Sequence, residues 1–343
     1  MSRSYRGAGV DLEEARRTVE LIGRAAAGTM TPAVLGGVGG FGSLFRLDPA
    51  SYPDPVLVAS TDGVGTKLKV AIALGRHDTI GVDLVNHCIN DIAVQGADPL
   101  FFLDYLGTGH LRAEVVEAII GGIANACAAA GVALVGGETA ELPDLYQGDD
   151  YDLAGFIVGV VARRDVIDGH GVRAGDALLG LPSSGLHTNG YSLVRRVLQE
   201  RDWASSAPGI ERTIGDELLE PHRSYLDEIR ILRRRLREAG ADLQALAHLT
   251  GGGWVDNIPR TLPEGLGVEV ETGSWHVPRI FSLIQERGDI NDDEMVRTFN
   301  LGIGLTVVVH PEQTDAALAA GVDAMRVGTV VPVESGRPRV AFV

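Results

Sequence analysis

Residues 118–137 carry no charge over twenty consecutive positions, so this stretch must lie in a protein core or a membrane. Its composition decides between the two. It is mostly Ala and Gly, with Asn125 near the middle and Gly131 as an interruption. A helix over 112–130, a Gly stop and a strand over 132–136 account for it better than a membrane span does. The N-terminal segment has no apolar run of the secretory kind. A soluble, cytoplasmic protein with no membrane partner is therefore expected.

The net charge of −16 argues against a nucleic-acid or anionic-membrane partner, because such partners need an excess of cations. Any phosphate must be met by a few placed cations, by backbone N–H groups or by metal ions. Cys88 and Cys127 are the only cysteines and no Cys-x-x-Cys occurs, which fits a reducing compartment. Arg supplies every basic residue except Lys67 and Lys69. A compact ammonium suits a crowded phosphate site better than a forked guanidinium.

The length of 343 residues suggests two domains. Helices are expected over 11–27, 83–95 and 112–130, with strands over 56–61, 100–106, 132–136 and 153–161. A short strand should follow the Gly-rich loop near residue 43. The polar, Gly-containing run 163–171 marks the boundary, giving domains 1–168 and 169–343. The second half reads as strands over 177–181, 267–270, 303–309 and 327–331, with helices starting near Tyr191 and Tyr225. Residues 203–217 lack a clear period and read as an irregular surface stretch. The class is α/β or α+β.

Gly37, Gly39 and Gly42 match G-x-G-x-x-G, but the motif follows a helix and Pro32 rather than a strand, so a dinucleotide fold is rejected. A Gly-rich flap closing over phosphates is the better reading, with Gly40 as a further member. No Gly-Lys dipeptide occurs, which excludes a Walker A loop. Asp62-Gly-Val-Gly-Thr-Lys67 ends an apolar strand. Its carboxylate, glycines Gly63 and Gly65, hydroxyl Thr66 and ammonium Lys67 are the inventory of a metal–phosphate site. The helix over 83–95 carries Asp83, His87, Asn90 and Asp91 along one side. Such a stripe is ordinarily a solvated face, but beside a metal site Asn90-Asp91 becomes a second ligand pair. Glu138 and Glu141 follow a short buried strand, at an expected loop. In the second half, Ser183-Ser-Gly-Leu-His187-Thr-Asn-Gly190 leads from a strand into a helix, an arrangement suited to anions. His248-Leu-Thr-Gly-Gly-Gly253 has the same character. The remaining histidines read as scattered surface or core residues.

Taken in order, Thr61-Asp-Gly-Val-Gly-Thr-Lys-Leu68, Asn90-Asp91 with Gln95-Gly96, Gly136-Gly-Glu-Thr-Ala-Glu141, Gly185-Leu-His-Thr-Asn-Gly-Tyr-Ser-Leu193, His248-Leu-Thr-Gly-Gly-Gly253 and Arg297-Thr-Phe-Asn-x-Gly-Ile-Gly304 resemble the phosphoribosylformylglycinamidine cyclo-ligase family, the aminoimidazole ribonucleotide synthetases of purine biosynthesis. The resemblance spans nearly the whole chain. It implies a two-domain α/β subunit whose first domain binds ATP and contributes strands to an intersubunit β-barrel in a homodimer, and whose second domain is a mixed sheet flanked by helices. It implies ATP- and Mg²⁺-dependent ring closure of formylglycinamidine ribonucleotide. By the same resemblance, Asp62, Lys67 and His187 are catalytic, and Asp62 and Asp91 hold the metal. Gly37, Gly39, Gly40, Gly42, Gly63, Gly65, Thr66, Asn90 and Glu138 meet ATP or its phosphates. Thr188, Asn189, Gly190, His248, Gly251 and Gly252 meet the substrate. Many members have Ser at Thr188 and Glu at Asp256, and some have Lys at Gly23. The related selenophosphate synthetases and hydrogenase-maturation dehydratases need a Cys near the N-terminal Gly-rich region or at the C-terminus, where this chain has none.

Overall fold

The computed structural model describes residues 12–36, 40–199 and 203–343. The chain divides into two compact units, one comprising Met1–Ile92 and Ala97–Arg164, the other Ala93–Gly96 and Asp165–Val343. The break after Arg164 falls just before the boundary expected at 168/169. The turn 93–96 joins the second unit because Gln95 O accepts from Ile167 N–H at 3.1 Å and Gly96 O from Arg233 Nη1 at 3.2 Å.

The first unit runs α1 (Leu12–Ala27), β1 (Pro55–Gly63), α2 (Lys67–Leu74), α3 (Ile80–Ala93), β2 (Asp98–Thr108), α4 (Ala113–Ala130), β3 (Ala133–Glu141) and β4 (Tyr151–Ala162). Its sheet has the order β1-β4-β2-β3, with β2 and β3 parallel across the α4 crossover and the other neighbours antiparallel. The charge-free run is the core helix α4 followed by β3. Gly131 ends the helix at φ 71°, its N–H bonding to Ala128 O. Gly122 costs the helix about 1 kcal/mol relative to Ala, yet a Cβ there would stand 2.6 Å from Asp78 O, and one on Gly81 would stand 2.1 Å from Ile119 O. Glycine is what lets α3 and α4 approach so closely. On β4, buried and more exposed residues alternate from Tyr151 to Val158. One face packs on the helices. The other leaves Leu57 61% and Phe156 45% exposed.

Three expectations change here. The segment Gly136–Glu141 is strand rather than loop, because β3 continues alongside β2 to the pair Thr108–Glu141. The acid–His–Asn stripe of α3 is not a solvated face: Asp83, His87 and Asn90 are buried. The short strand after the Gly-rich loop reduces to one bridge, Val34–Phe45, with Leu35 N–H bonding to Leu44 O at 2.8 Å. Gly37 and Gly39, like Asp11, lie outside the described residues.

The second unit runs β5 (Ala177–Pro182), α5 (Tyr191–Val197), α6 (Ile214–Leu218), α7 (Leu226–Glu238), β6 (Ala245–His248), α8 (Gly253–Asn257), β7 (Leu266–Val270), α9 (Arg279–Gly288), α10 (Asp292–Thr298), β8 (Ile303–Val309), α11 (Thr314–Leu318), β9 (Met325–Pro332) and β10 (Val340–Phe342). The sheet order is β10-β7-β9-β5-β8-β6, parallel only between β10 and β7. Strands β5 and β8 are inner strands buried on both faces, hence their unbroken apolar sequences. Trp254 is fully buried against this sheet's core, with Nε1 donating to Asn300 O at 3.0 Å. Residues 203–217 are not a surface stretch. Trp203, Ala207, Ile210 and Ile214 are buried at helical spacing, but Pro208 and Gly209 prevent one continuous helix, which hides the period.

Candidate active site

In the first unit, β1 delivers Asp62 to the strand end, where the chain turns through Gly63, Val64 and Gly65 (φ +67°) into α2. Asp62 Oδ1 accepts from Gly63 N–H at 2.7 Å. His87 Nε2, from α3, lies 2.8 Å from Asp62 Oδ2 and 4.0 Å from Asp91 Oδ2. Ser60 Oγ donates to Asp91 Oδ2 at 3.1 Å. Burial pulls the His87 pKa down, but contact with Asp62 and the charges of Asp62, Asp91 and Asp83 outweigh it, and the net direction is up. Burial likewise raises Asp62, yet the His87 contact and the Gly63 N–H bring it below the usual carboxylate range. The site thus sets two carboxylates, Asp62 and Asp91, beside the His87 ring, and both favour its protonated form. Its exposed acceptors are oxygen, the donor set a hard cation such as Mg²⁺ prefers.

Lys67 departs from its expected place. Its ammonium is fully buried and lies 2.8 Å from Asp83 Oδ1, also fully buried. The first residue of α2 therefore turns inward beneath the strand end instead of reaching a phosphate in solvent. Asn90 is also fully buried, so of the Asn90-Asp91 pair only Asp91 is partly open. Gly63, Gly65, Thr66, Gly40, Gly42 and Glu138 are partly or fully exposed. Glu141 is structural: its Oε1 accepts from Leu111 N–H at 2.8 Å and lies 3.2 Å from His110 Nδ1.

In the second unit, two loops meet. The first follows β5. Ser183 N–H donates to Gly302 O at 2.8 Å, and Asn300 Nδ2 donates to Gly185 O at 2.9 Å. His187 adopts φ +61°, and its Nε2 accepts from Ser184 N–H at 3.2 Å. Gly190, at φ +80°, opens α5 where a Cβ would strike the Phe299 ring at 2.2 Å. The second loop follows β6, and Asn257 Nδ2 ties it by donating to Gly253 O at 2.7 Å. Asn189 Oδ1 stands 3.5 Å from where a Gly251 Cβ would be, which brings the loops together. Asn189, Gly251 and Gly252 are at least partly exposed, whereas Thr188 and His248 are nearly enclosed and His187 is sealed.

The amino-acid sequence matches the families described as AIR synthase related protein, N-terminal domain, over residues 47–161 and AIR synthase related protein, C-terminal domain, over 173–341. A phosphoribosylformylglycinamidine cyclo-ligase from Desulfitobacterium hafniense is 52% identical over 92% of this chain and 91% of its own length. One from Nitrosococcus oceani is 50% identical over 99% and 94%. The chain belongs to the phosphoribosylformylglycinamidine cyclo-ligase family. The cyclo-ligase fold is shared more widely. E. coli HypE superposes with a TM-score of 0.66 at 20% identity, covering 96% of this chain and 93% of its own. Thiamine-monophosphate kinase from Stenotrophomonas maltophilia K279a gives 0.65 at 18%, covering 95% of each chain.

Against the cyclo-ligase motifs, sequence reasoning missed two buried groups. His222 lies against His187 and His248, its ring stacked 3.9 Å from that of His187. It sits outside every recognisable motif, so only the packing reveals it. Asp104, at the centre of β2, is buried, and desolvation pushes its pKa up to about 7. Its register partner on β3 is Gly137, where a Cβ would fall 2.4 Å from Asp104 Oδ1. That glycine in the family motif makes room for the acid.

Proposed function

We propose that this protein closes the imidazole ring of 5-aminoimidazole ribonucleotide from formylglycinamidine ribonucleotide, converting ATP to ADP and phosphate in de novo purine biosynthesis. The observation that carries the reading is the match of about half of all residues to curated cyclo-ligases over nearly the full length of both chains. ATP phosphorylates the formyl amide oxygen, turning a poor leaving group into a good one. The amidine nitrogen then attacks that carbon and phosphate departs. A dry pocket protects the intermediate from water.

In this reading Asp62 and Asp91 hold Mg²⁺, with His87 positioning Asp62. Mg²⁺ bound there neutralises charge on the phosphates. The exposed backbone of Gly65 and Thr66, leading into α2, supplies phosphate donors, and Gly63, with no side chain, leaves room for the phosphates to approach. Gly37, Gly39, Gly40 and Gly42 cover the triphosphate and Glu138 lines its approach. Lys67 ties the start of α2 to α3 through Asp83, and Asn90 lies buried in α3. Asn189, Gly190, Gly251 and Gly252 bind the ribonucleotide, with Thr188, His248 and His187 behind them. We further propose a cytoplasmic homodimer in which the open face bearing Leu57 and Phe156 meets its copy and the strands of two first units close a barrel.

The test is direct. Purified protein with ATP, Mg²⁺ and formylglycinamidine ribonucleotide should yield a diazotisable aminoimidazole in step with ADP. ADP without that product, or no turnover, overturns the reading.

A further inference from the structure

The second unit holds three buried imidazoles in contact. His222 Nε2 and His248 Nε2 are 2.9 Å apart, and His222 Nδ1 is 3.4 Å from Thr188 Oγ1. His187 stacks on His222 with its plane tilted by 20°. Three histidines this close suggest a transition-metal centre, but the lone pairs do not converge. His187 Nε2 already accepts from Ser184 N–H, so its neutral ring carries its proton on Nδ1 and has no second lone pair to give. Nearly parallel stacked rings also aim their in-plane lone pairs side by side instead of at one point.

The same geometry fits proton transfer. A 2.9 Å contact between two ring nitrogens requires one proton between them, donated by either ring. If His222 donates from Nε2, its Nδ1 is an acceptor for the Thr188 hydroxyl. If His248 donates, His222 carries its proton on Nδ1 and Thr188 Oγ1 accepts. Both arrangements satisfy the Thr188–His222 and His222–His248 contacts, and they differ only in the positions of protons. His222 is fully sealed, while Thr188 and His248 at the two ends remain 8% and 6% exposed. Within this unit the nearby titratable or charged groups include Tyr225, whose ring lies 6.2 Å from that of His187, and Arg223, held by Pro182 O and Glu228.

We propose that His222 is a positioning residue that relays a proton between Thr188 and His248 during ring closure. The inference rests on the cyclisation reading above. As the amidine nitrogen forms the new C–N bond, phosphate leaves with the C–O electron pair and the nitrogen sheds one proton. Thr188 Oγ1 takes that proton and passes its own to His222 Nδ1. The proton on His222 Nε2 moves to His248 Nε2, and the resulting imidazolium discharges to solvent. No oxidant, reductant or metal enters the balance. The Thr188 contact is long for a hydrogen bond, so the relay closes when substrate draws the hydroxyl inward.

Two variants and one spectrum test this. In His222→Gln an amide replaces the group facing His248, and in His222→Asn one replaces the group facing Thr188, but neither amide passes a proton from one atom to another. Both should keep KM for the ribonucleotide within about threefold and lose ~10²-fold or more in kcat, the usual contribution of a proton-transfer group. A folded variant with kcat within threefold of the unsubstituted protein would reduce His222 to packing and overturn the relay. The ¹⁵N imidazole spectrum of the unsubstituted, substrate-free protein should show coupling across the Nε2–Nε2 bond, with the proton carried by His222. A His222 ring with its proton fixed on Nδ1 cannot accept from Thr188 and overturns the proposal even if neither variant folds. A zinc titration that shifts all three histidines overturns it in favour of a metal centre. Unsubstituted protein that makes no aminoimidazole refutes the function instead, so the two failures are distinguishable.

Discussion

Lys67 and Asp83 form a fully buried ion pair, Nζ to Oδ1 at 2.8 Å, that pins the start of α2 to α3 four residues before His87, the ring that contacts Asp62. Breaking a buried pair by removing one partner leaves an uncompensated charge, which typically costs about 3–5 kcal/mol. Lys67→Met should therefore lower stability by that order in chemical denaturation. Lys67→Arg should also be poorly tolerated, because a guanidinium does not fit a space packed around an ammonium. The double variant Lys67→Met with Asp83→Leu should recover most of the loss. Equal stability of the single variant and the unsubstituted protein would show that the pair contributes nothing.

The open face of the first sheet makes a second prediction. Leu57 and Phe156 stand 61% and 45% exposed on strands whose opposite face is core. Sedimentation at low micromolar concentration should show about twice the 36.2 kDa chain mass. Leu57→Glu should weaken association at least ~30-fold if the side chain is a central anchor of the interface, and the first unit should melt earlier once separated. A well-folded monomer at micromolar concentration would remove the half-barrel reading.

The sequence was most legible where one physical rule governs. The charge-free run 118–137 admits a buried helix, a Gly stop and a strand, and α4 and β3 follow. Glycines clustered at strand ends located Asp62 and both second-unit loops. Legibility failed where tertiary burial reverses a local expectation. A stripe of Asp83, His87 and Asn90 at helical spacing is indistinguishable from a solvated face until a strand end is packed on it. Lys67 is one residue past a turn, and nothing local tells whether it faces a phosphate or the core. Residues 203–217 keep a helical spacing of buried groups that Pro208 and Gly209 disguise. His222 carries no motif at all.

Asp62→Asn should separate chemistry from folding. The substitution keeps the shape and a partner for the Gly63 N–H but removes a charged oxygen from the proposed metal site. Loss of a metal ligand or of its close support costs ~10²-fold in activity. Aminoimidazole formation at saturating ATP and Mg²⁺ should fall by that order, with a thermal melt close to that of the unsubstituted protein. Activity within threefold would remove Asp62 from the metal site.

Asp104 gives a pH-dependent prediction whose sign is unusual for a carboxylate. Burial among the apolar side chains of β2 and its neighbours raises its pKa to about 7 in the folded chain, whereas an unfolded Asp titrates near ~3.9. The folded state therefore binds the proton more tightly than the unfolded state does. Below pH ~4 both states are protonated and the residue imposes no penalty. Between pH ~4 and ~7 the unfolded chain is already ionised while the folded one still holds its proton, so stability falls steadily as pH rises. Above ~7 the penalty is constant. Asp104→Asn is neutral and nearly isosteric, so it should abolish this slope. Relative to the unsubstituted protein it should gain ~2–4 kcal/mol of stability on going from pH 4 to pH 8. Denaturation at those two pH values measures the difference, with other groups cancelling between the two proteins. An unchanged difference would mean that Asp104 is ionised throughout, and that a partner in the assembled protein compensates its burial.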